Sequence, residues 1–288
     1  STGSSMVMTL SVPRLVSPCE SEYADSSEQE FWGMARVKVL VLRTAGINCD
    51  QETVFAWQQA GAQAELVHVD RLIESPDRLK EVQVLTIPGG FSYGDDVSAG
   101  RILGNQLALH LLEPLQAFLD AGKLMLGICN GFQVLVKAGL LPGPPGGEPT
   151  VTLAFNNSSH FEARWVHLQV CTDRCAFLPP GATLRLPVAH AAGKVVVSDD
   201  DALHDLHRRG QVALRYVSAN GGPADYPANP NGSVNGIAGL TDATGQILGL
   251  MPHPERFVDP THDPLWTRSG PTEPHGLIFF RSAVARFR

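Results

Sequence analysis

A cysteine lies at the corner between a buried strand pattern and a helix pattern in the segment LMLGICNGFQVLV, residues 124–136. Cys129 has Gly127 before it and Gly131 after it, and a thiol on such a tight strand-to-helix turn resembles a nucleophile elbow. The positive end of the helix favours the thiolate form, and its free N–H groups can stabilise an oxyanion. The alternative is a small apolar side chain packed in the corner. The flanking glycines favour the nucleophile, because simple packing does not need so constrained a backbone.

A thiol nucleophile needs a base, and ten histidines compete for that role. His253 differs from the others because it ends a strand pattern in GLMPHPERF, residues 249–257, with a proline on each side. Glu255 follows two residues later, and in an extended segment both side chains point the same way. The carboxylate could then hold the imidazole in one tautomer while the other nitrogen faces the sulfur. This spacing predicts a Cys-His-Glu arrangement, with a merely rigid loop as the alternative.

The segment TIPGGFSYGDD, residues 86–96, follows the third strand pattern and is rich in glycine. If this loop lies beside the elbow, the backbone N–H groups of Gly90 and Asn130 can converge on one oxygen as an oxyanion hole. A phosphate-binding turn is the alternative, although no Gly-Lys-Ser/Thr sequence accompanies the glycines.

Strand and helix patterns alternate in the first half of the chain. Strand patterns cover residues 37–43, 64–69, 82–87 and 123–128. Helix patterns cover residues 51–60, with Asp50 as the predicted N-cap and Gly61 as the stop, and residues 99–120. Such alternation is typical of a parallel sheet covered on both faces. Ligands of these sheets bind beyond the carboxyl ends of the strands, where Cys129 is predicted to lie.

The pattern changes after Pro149 to hairpin-like strands, in RWVHLQV, KVVV, QVALRYV and QILGLM, before a last helix at residues 276–287. We therefore predict an α/β fold with an open, mostly parallel, flavodoxin-like sheet flanked by helices and additional antiparallel strands in the C-terminal half. The Pro/Gly-rich stretch at residues 141–149 is either a domain linker or a surface loop, and we expect the loop.

Composition narrows the possible partners. The net charge of −7 and the lack of a long basic run argue against nucleic acid as the main partner. No apolar stretch is long enough to span a membrane, and no signal-peptide pattern opens the chain. Five cysteines, an odd number, favour a reducing compartment, so we expect a cytoplasmic protein. Cys171 and Cys175 have a zinc-like spacing but lack a second ligand pair, so we expect ordinary packing or turn thiols.

The amino terminus differs from the rest. Residues 1–35 are predicted to form a flexible extension in which Ser1 to Ser5 resembles a cloning remnant, and residues 17–30 are polar and acidic. Met34 is the expected functional start. Residues 36–288 are predicted to form a single domain.

Several motifs together resemble a known family. GICNGFQVL, MPHPER and PGGFSYGDD are similar to the class I glutamine amidotransferases, and within them to the glutaminase subunits of phosphoribosylformylglycinamidine synthase, from purine biosynthesis. Further matches occur in the same order, in GINCDQE (46–52), NNSSHFEARW (156–165), LPVAH (186–190) and NPNGSVNGIAGL (229–240). The resemblance covers the chain from Val37 to its end.

The resemblance implies a role for each matching residue. Cys129 is the nucleophile, His253 the general base and acid, and Glu255 its orienting partner. The implied oxyanion donors are Gly90 and Asn130, and the implied contacts with L-glutamine are Gly89, Phe91, Gln133, Asn156 and Ser158. Cys49 is expected to be structural or a neighbour of the pocket. No metal or other cofactor is expected on this chain.

The resemblance also implies a partner. Hydrolysis of glutamine to glutamate would release ammonia to a synthetase subunit that uses ATP and Mg, and a third small subunit is left open. A stand-alone cysteine hydrolase or peptidase and a catalytically silent regulatory subunit remain as alternatives. Ala191 and Ala192 stand where the family usually has Gly-Glu, in an expected partner-facing loop. His190 is expected at that interface or on the surface.

Overall fold

Eleven strands and eight α-helices form the part of the chain that the computed structural model describes, residues 36–144, 147–270 and 272–288. The strands are β1 Lys38–Arg43, β2 Gln63–His68, β3 Val84–Ile87, β4 Leu124–Ile128, β5 Val151–Phe155, β6 Glu162–Val170, β7 Thr183–His190, β8 Ala192–Val197, β9 Val212–Val217, β10 Ile237–Thr241 and β11 Ile247–Leu250. The helices are α1 Asp50–Gln59, α2 Val69–Glu74, α3 Arg101–His110, α4 Leu112–Asp120, α5 Asn130–Lys137, α6 Asp200–Arg208, α7 Trp266–Ser269 and α8 His275–Ala285.

Nine of the strands form one sheet in the order β2-β1-β3-β4-β11-β10-β9-β6-β7. The first five of these are mutually parallel, and the remaining pairs are antiparallel. The order 2-1-3-4 with β11 in the fifth place is the flavodoxin-like arrangement. The predicted fold class is therefore confirmed, and β5 and β8 add a separate antiparallel ribbon.

The central strands of the parallel half of the sheet are largely apolar and are covered by helices. Every residue of β3 and β4 is buried, as expected for strands covered on both faces. Helix α3 packs against α5, and α1 packs against α8. Trp57 of α1 meets Phe280 of α8 edge to face, with ring centroids 5.0 Å apart, and its indole N–H donates to Thr86 of β3.

The helix predictions need two corrections. The single helix predicted at residues 99–120 is two helices, α3 and α4, interrupted at Leu111. Pro114 explains the break, because it has no N–H to donate to the carbonyl of His110 and is tolerated only in the first turn of a new helix. Asp50 is not an N-cap: it is the first residue of α1, and Cys49 precedes it.

Residues 36–288 form one compact unit, and the loop at 141–149, of which residues 145 and 146 are not described, lies within it. The predicted N-terminal extension and the Met34 start lie outside the described residues. No helix in the described part is long and apolar enough to span a membrane. The strand-like pattern ends at Val170, before Cys171 and Cys175, of which the first is exposed and the second buried.

Candidate active site

Four parallel strands end around one cavity of about 590 Å³. The segment after β1 contributes Cys49, the segment after β3 contributes Gly90, the turn after β4 contributes Cys129, and the segment after β11 contributes His253. The cavity therefore lies where open α/β sheets bind their ligands, beyond the carboxyl ends of the strands.

Cys129 lies on a strained strand-to-helix turn, as the sequence predicts. Its backbone has φ 51° and ψ −105°, which is rare for a residue other than glycine and costs free energy that the surrounding structure must supply. Its N–H donates to the carbonyl of Leu250 at 2.7 Å, and its carbonyl accepts from Phe132 at 3.0 Å as α5 begins. A methyl group on Gly131 would overlap the carbonyl of Ile87, so this turn requires glycine there.

His253 and Glu255 form a buried pair. Nδ1 of His253 lies 2.6 Å from Oε1 of Glu255, and the two residues are 2% and 1% exposed. The predicted pairing is present, but the extended geometry is wrong beyond His253, because Glu255 lies in a 3₁₀ turn, Pro254–Arg256, which brings its carboxylate back to the ring. Burial lowers the pKa of His253, but the negative charges of Glu255 and Cys129 outweigh burial and hold that pKa well above its usual value.

The glycine-rich loop is held against the segment that follows β1. Gly90 has φ 142° and pairs with Ile47, and a Cβ there would come within 2.8 Å of the Asn48 nitrogen. The next residue, Phe91, donates its N–H to the carbonyl of Gly46 at 2.8 Å. This close approach presents the loop backbone to the cavity.

Asn130 joins that loop to helix α5. Its side-chain oxygen accepts from the Ser92 N–H at 3.1 Å, and its side-chain nitrogen donates to Asp95 at 3.1 Å. Its backbone N–H is among the first of α5, which have no acceptor within the helix. Burial raises the pKa of Asp95 above its ordinary value, because the opposing effect of the hydrogen bond from Asn130 is smaller than that of burial. Gln133 lines the cavity and donates to the carbonyl of Ala192 at 2.6 Å.

Of the predicted site residues, five line the cavity: Gly90, Phe91, Cys129, Gln133 and His253. Glu255 and Asn130 support the cavity from behind through the hydrogen bonds already described. Gly89 does not line the cavity but lies next to two residues that do. A Cβ on Gly89 would come within 2.9 Å of Cε1 of His253 and 3.2 Å of the Cys49 sulfur.

Asn156 and Ser158 do not line the cavity, and their contact with glutamine stays a prediction. The Ser158 hydroxyl donates to Glu162 at 2.6 Å, and Ser158 lines a separate depression beside Tyr226. Asn156 is 3% exposed and holds His190 instead. The sequence motif located the segment but could not show which way its side chains turn.

His190 lines the cavity and is 3% exposed, so the expectation of a surface position is wrong. The amide nitrogen of Asn156 donates to the carbonyls of His160 and His190, so its oxygen is left to accept from Nδ1 of His190 at 3.1 Å. Nε2 of His190 is therefore an acceptor, and it has no partner among the described residues. Burial, together with the charge on His253, lowers the pKa of His190 to about 4, so the ring is neutral at pH 7.

Ala191 and Ala192 also line the cavity, so the departure from the family pattern lies in the site. The expected loop is wrong, because Ala191 is the single residue between β7 and β8 and Ala192 begins β8. The other lining residues that sequence reasoning did not assign include Asn48, Asp95, Asp96, Val97, Phe155, Phe161 and Arg256. Asn48, Asp95, Asp96, Phe161 and Arg256 lie inside the motif segments quoted above, so the motifs themselves were the available signal. Val97 and Phe155 lie outside those segments and carried no such signal.

A cysteine on a strained elbow, a buried His-Glu pair and backbone N–H groups around one cavity define a thiol-dependent enzyme of acyl transfer. Residues 36–287 match the family described as the CobB/CobQ-like glutamine amidotransferase domain, and the chain belongs to this family.

Curated relatives are similar over nearly their whole length. Phosphoribosylformylglycinamidine synthase subunit PurQ of Dehalococcoides mccartyi is 45% identical over 254 residues, which are 87% of this chain and 98% of that protein. The subunit of the same name from Methanococcus maripaludis is 38% identical over 87% of this chain and 97% of its own length. Among solved structures, a chain of PurLQS from Thermotoga maritima has a TM-score of 0.68 at 30% identity, covering 88% of this chain and all of that one (100%).

Proposed function

We propose that this chain is a glutaminase subunit that hydrolyses L-glutamine and supplies the ammonia to a phosphoribosylformylglycinamidine synthase. The observation that carries the proposal is the position of the strained Cys129 elbow beside the buried His253–Glu255 pair in one cavity. The names of the relatives, which are subunits of phosphoribosylformylglycinamidine synthase, support the proposed substrate and the proposed assembly with a synthetase.

The reaction follows from these groups. The Cys129 thiolate attacks the side-chain amide carbon of glutamine, and the backbone N–H groups of Gly90 and Asn130 stabilise the oxyanion. His253, protonated and held by Glu255, gives its proton to the departing nitrogen, so ammonia leaves and a γ-glutamyl thioester remains. The neutral imidazole then takes a proton from water, which attacks the thioester and releases glutamate.

The cavity also offers partners for the amino-acid end of glutamine. The unpartnered Nε2 of His190 is a neutral acceptor fixed in one tautomer, suited to an ammonium N–H. The Asp95 carboxylate lies at the wall of the same cavity. Gln133 and Asn130 hold the wall in place through their mutual hydrogen bond of 3.0 Å.

The partner is a synthetase subunit that binds ATP and Mg. Support comes from the apolar side chains that line the cavity and remain exposed, because exposed apolar patches mark interaction sites. These side chains are Phe91 (44% exposed), Val97 (85%), Phe155 (77%) and Phe161 (53%). A third small subunit stays open, and the free thiols among the described residues are compatible with a location in the cytoplasm.

Labelling with a glutamine analogue that carries an electrophilic diazoketone in place of the amide tests the site. We expect one label per chain, on Cys129, identified by mass spectrometry of peptides, with protection by L-glutamine. Cys49 lines the same cavity and is the internal control. A label on Cys49 with Cys129 unmodified, or labelling that glutamine does not slow, would contradict the proposal.

A further inference from the structure

A second cavity, of about 480 Å³, shares no lining residue with the cavity of Cys129. Its walls come from helices α3 and α5 and from the ribbon of β5 and β8, with the residues next to these strands. The two helices touch closely, since a Cβ on Gly104 of α3 would come within 2.8 Å of Cβ of Lys137 of α5. A recess of this volume is of the size that binds small molecules.

Two positive side chains line this second cavity without a counter-charge. Arg101 is the first residue of α3, whose first turn has no acidic residue, and Lys137 is the last residue of α5. The Arg101 side chain forms no hydrogen bond or ion pair with a described residue. Nζ of Lys137 donates to the hydroxyl of Thr152 at 3.0 Å. No Asp or Glu is present among the described residues that line the cavity.

The two positive charges oppose each other. Burial lowers the pKa of Lys137, and the charge of Arg101 lowers that pKa further. Arg101 also lies at the positive end of α3, where a basic side chain is unfavourable. Glu148 and Asp199 adjoin lining residues in sequence, but neither is among the charges that act on Lys137, and Asp199 caps helix α6 instead. A bound anion would relieve this repulsion.

We propose that Arg101 and Lys137 bind the phosphoryl group of a phosphomonoester whose organic part packs on the apolar wall of the second cavity. Arginine and lysine are the usual side chains that bind phosphate. The Thr152 hydroxyl accepts from Lys137, so its own O–H remains to donate to a phosphate oxygen. Asn105 lies one turn after Arg101 on the same face of α3 and adds an amide. The apolar wall consists of Val136, Val151, Val196 and Val197.

Titration calorimetry on the full chain tests the site with three probes. Phenyl phosphate has the charge and an apolar ring, inorganic phosphate has the charge alone, and benzyl alcohol has the ring alone. We expect one phenyl phosphate per chain, bound at least about tenfold more tightly than inorganic phosphate because the ring buries apolar surface, and no binding of benzyl alcohol. No binding of phenyl phosphate would overturn the proposal, and so would inorganic phosphate that binds as tightly.

Charge-removing variants locate the phosphoryl group. Arg101→Gln and Lys137→Met are each expected to weaken phenyl phosphate binding by about tenfold or more, because a charged hydrogen bond is lost. Arg268→Gln and Lys194→Met change the same residue types outside the cavity and are the matched controls, expected to bind as the wild type does. Unchanged binding in both cavity variants, or equal weakening in the controls, would overturn the proposal.

Val197→Thr tests the apolar wall, since it keeps the shape of the side chain and adds a hydroxyl. It is expected to weaken phenyl phosphate binding by about fivefold or more and to leave inorganic phosphate unchanged, because only the ring contacts this wall. Equal effects on both probes would contradict the assigned position of the organic group.

This second site does not rest on the proposed glutaminase function. Cys129→Ala is expected to bind phenyl phosphate as the wild type does, because the two cavities share no residue. Loss of binding in Cys129→Ala would place the probe in the wrong cavity and overturn the proposal. If phenyl phosphate binds as expected while the wild type releases no ammonia, the proposed function fails and the second site stands.

Discussion

The imidazole of His253 has to carry a proton twice in each proposed turnover, and Glu255 is the residue that prepares it. The 2.6 Å contact between them fixes which nitrogen faces the thiol and stabilises the imidazolium form. The nearby carboxylate is also a cause of the raised pKa of His253.

Glu255→Gln is therefore expected to lower kcat by roughly 10²-fold or more with a smaller effect on KM, because the charge and the tautomer control are lost together. The pKa of His253, followed by NMR, is expected to fall in the variant. Equal kcat in the variant and the wild type would contradict this role.

His190 makes a separate prediction about stability. Its pKa is about 4 in the folded chain against 6.5 for an ordinary histidine, so between these values the unfolded chain binds more protons and stability rises with pH. The difference, 6.5 − 4, corresponds to roughly 3 kcal/mol. His190→Gln is expected to flatten the pH dependence by up to this amount, measured by urea unfolding across that pH interval.

The control for this measurement is His204→Gln, which changes an exposed histidine of helix α6 and is expected to leave the pH dependence as it is. Parallel stability curves for wild type and His190→Gln would show that His190 is not held neutral in the folded chain.

The elbow illustrates how an element positions a residue. Because a methyl group on Gly131 overlaps the Ile87 carbonyl, Gly131→Ala forces the start of α5 away from β3. We expect a loss of roughly 1–3 kcal/mol in the free energy of unfolding, together with loss of activity, since Cys129 moves with the turn. Gly143→Ala, where a Cβ would meet nothing within 4 Å, is the matched control in the same urea titration. Similar losses in both variants would contradict the steric explanation.

Strands and helices could be predicted from the sequence where the local residue pattern matches the burial seen in the structure. The largely apolar, β-branched segment of β3, the apolar segment of β4 and the glycines around Cys129 carry their own signal. Strand β7 does not, because Pro187 argues against a strand, and only its place at the edge of the sheet makes the proline acceptable. The carbonyl of that proline accepts the N–H of His253 at 2.9 Å. The position of His190 at the end of β7 was therefore invisible to local pattern, because it depends on long-range strand pairing.

At the scale of the whole molecule, the apolar mouth of the cavity is the expected contact with the synthetase. Val97→Asp is expected to weaken binding to a cognate synthetase by at least about tenfold, because a charge would have to be buried against the partner. Leu109→Asp changes an exposed leucine that does not line the cavity, 78% exposed against 85% for Val97, and is the control. Equal weakening by both variants, measured by titration calorimetry, would place the interface elsewhere.

The central claim is that Cys129 hydrolyses glutamine for a synthetase. The most direct measurement is release of ammonia and glutamate from L-glutamine by wild type and Cys129→Ala, each alone and with a cognate synthetase. We expect equal amounts of both products from the wild type, more with the synthetase than without it, and none from Cys129→Ala in either condition. Release that persists in Cys129→Ala, or wild type that releases nothing even with the synthetase, would contradict the account.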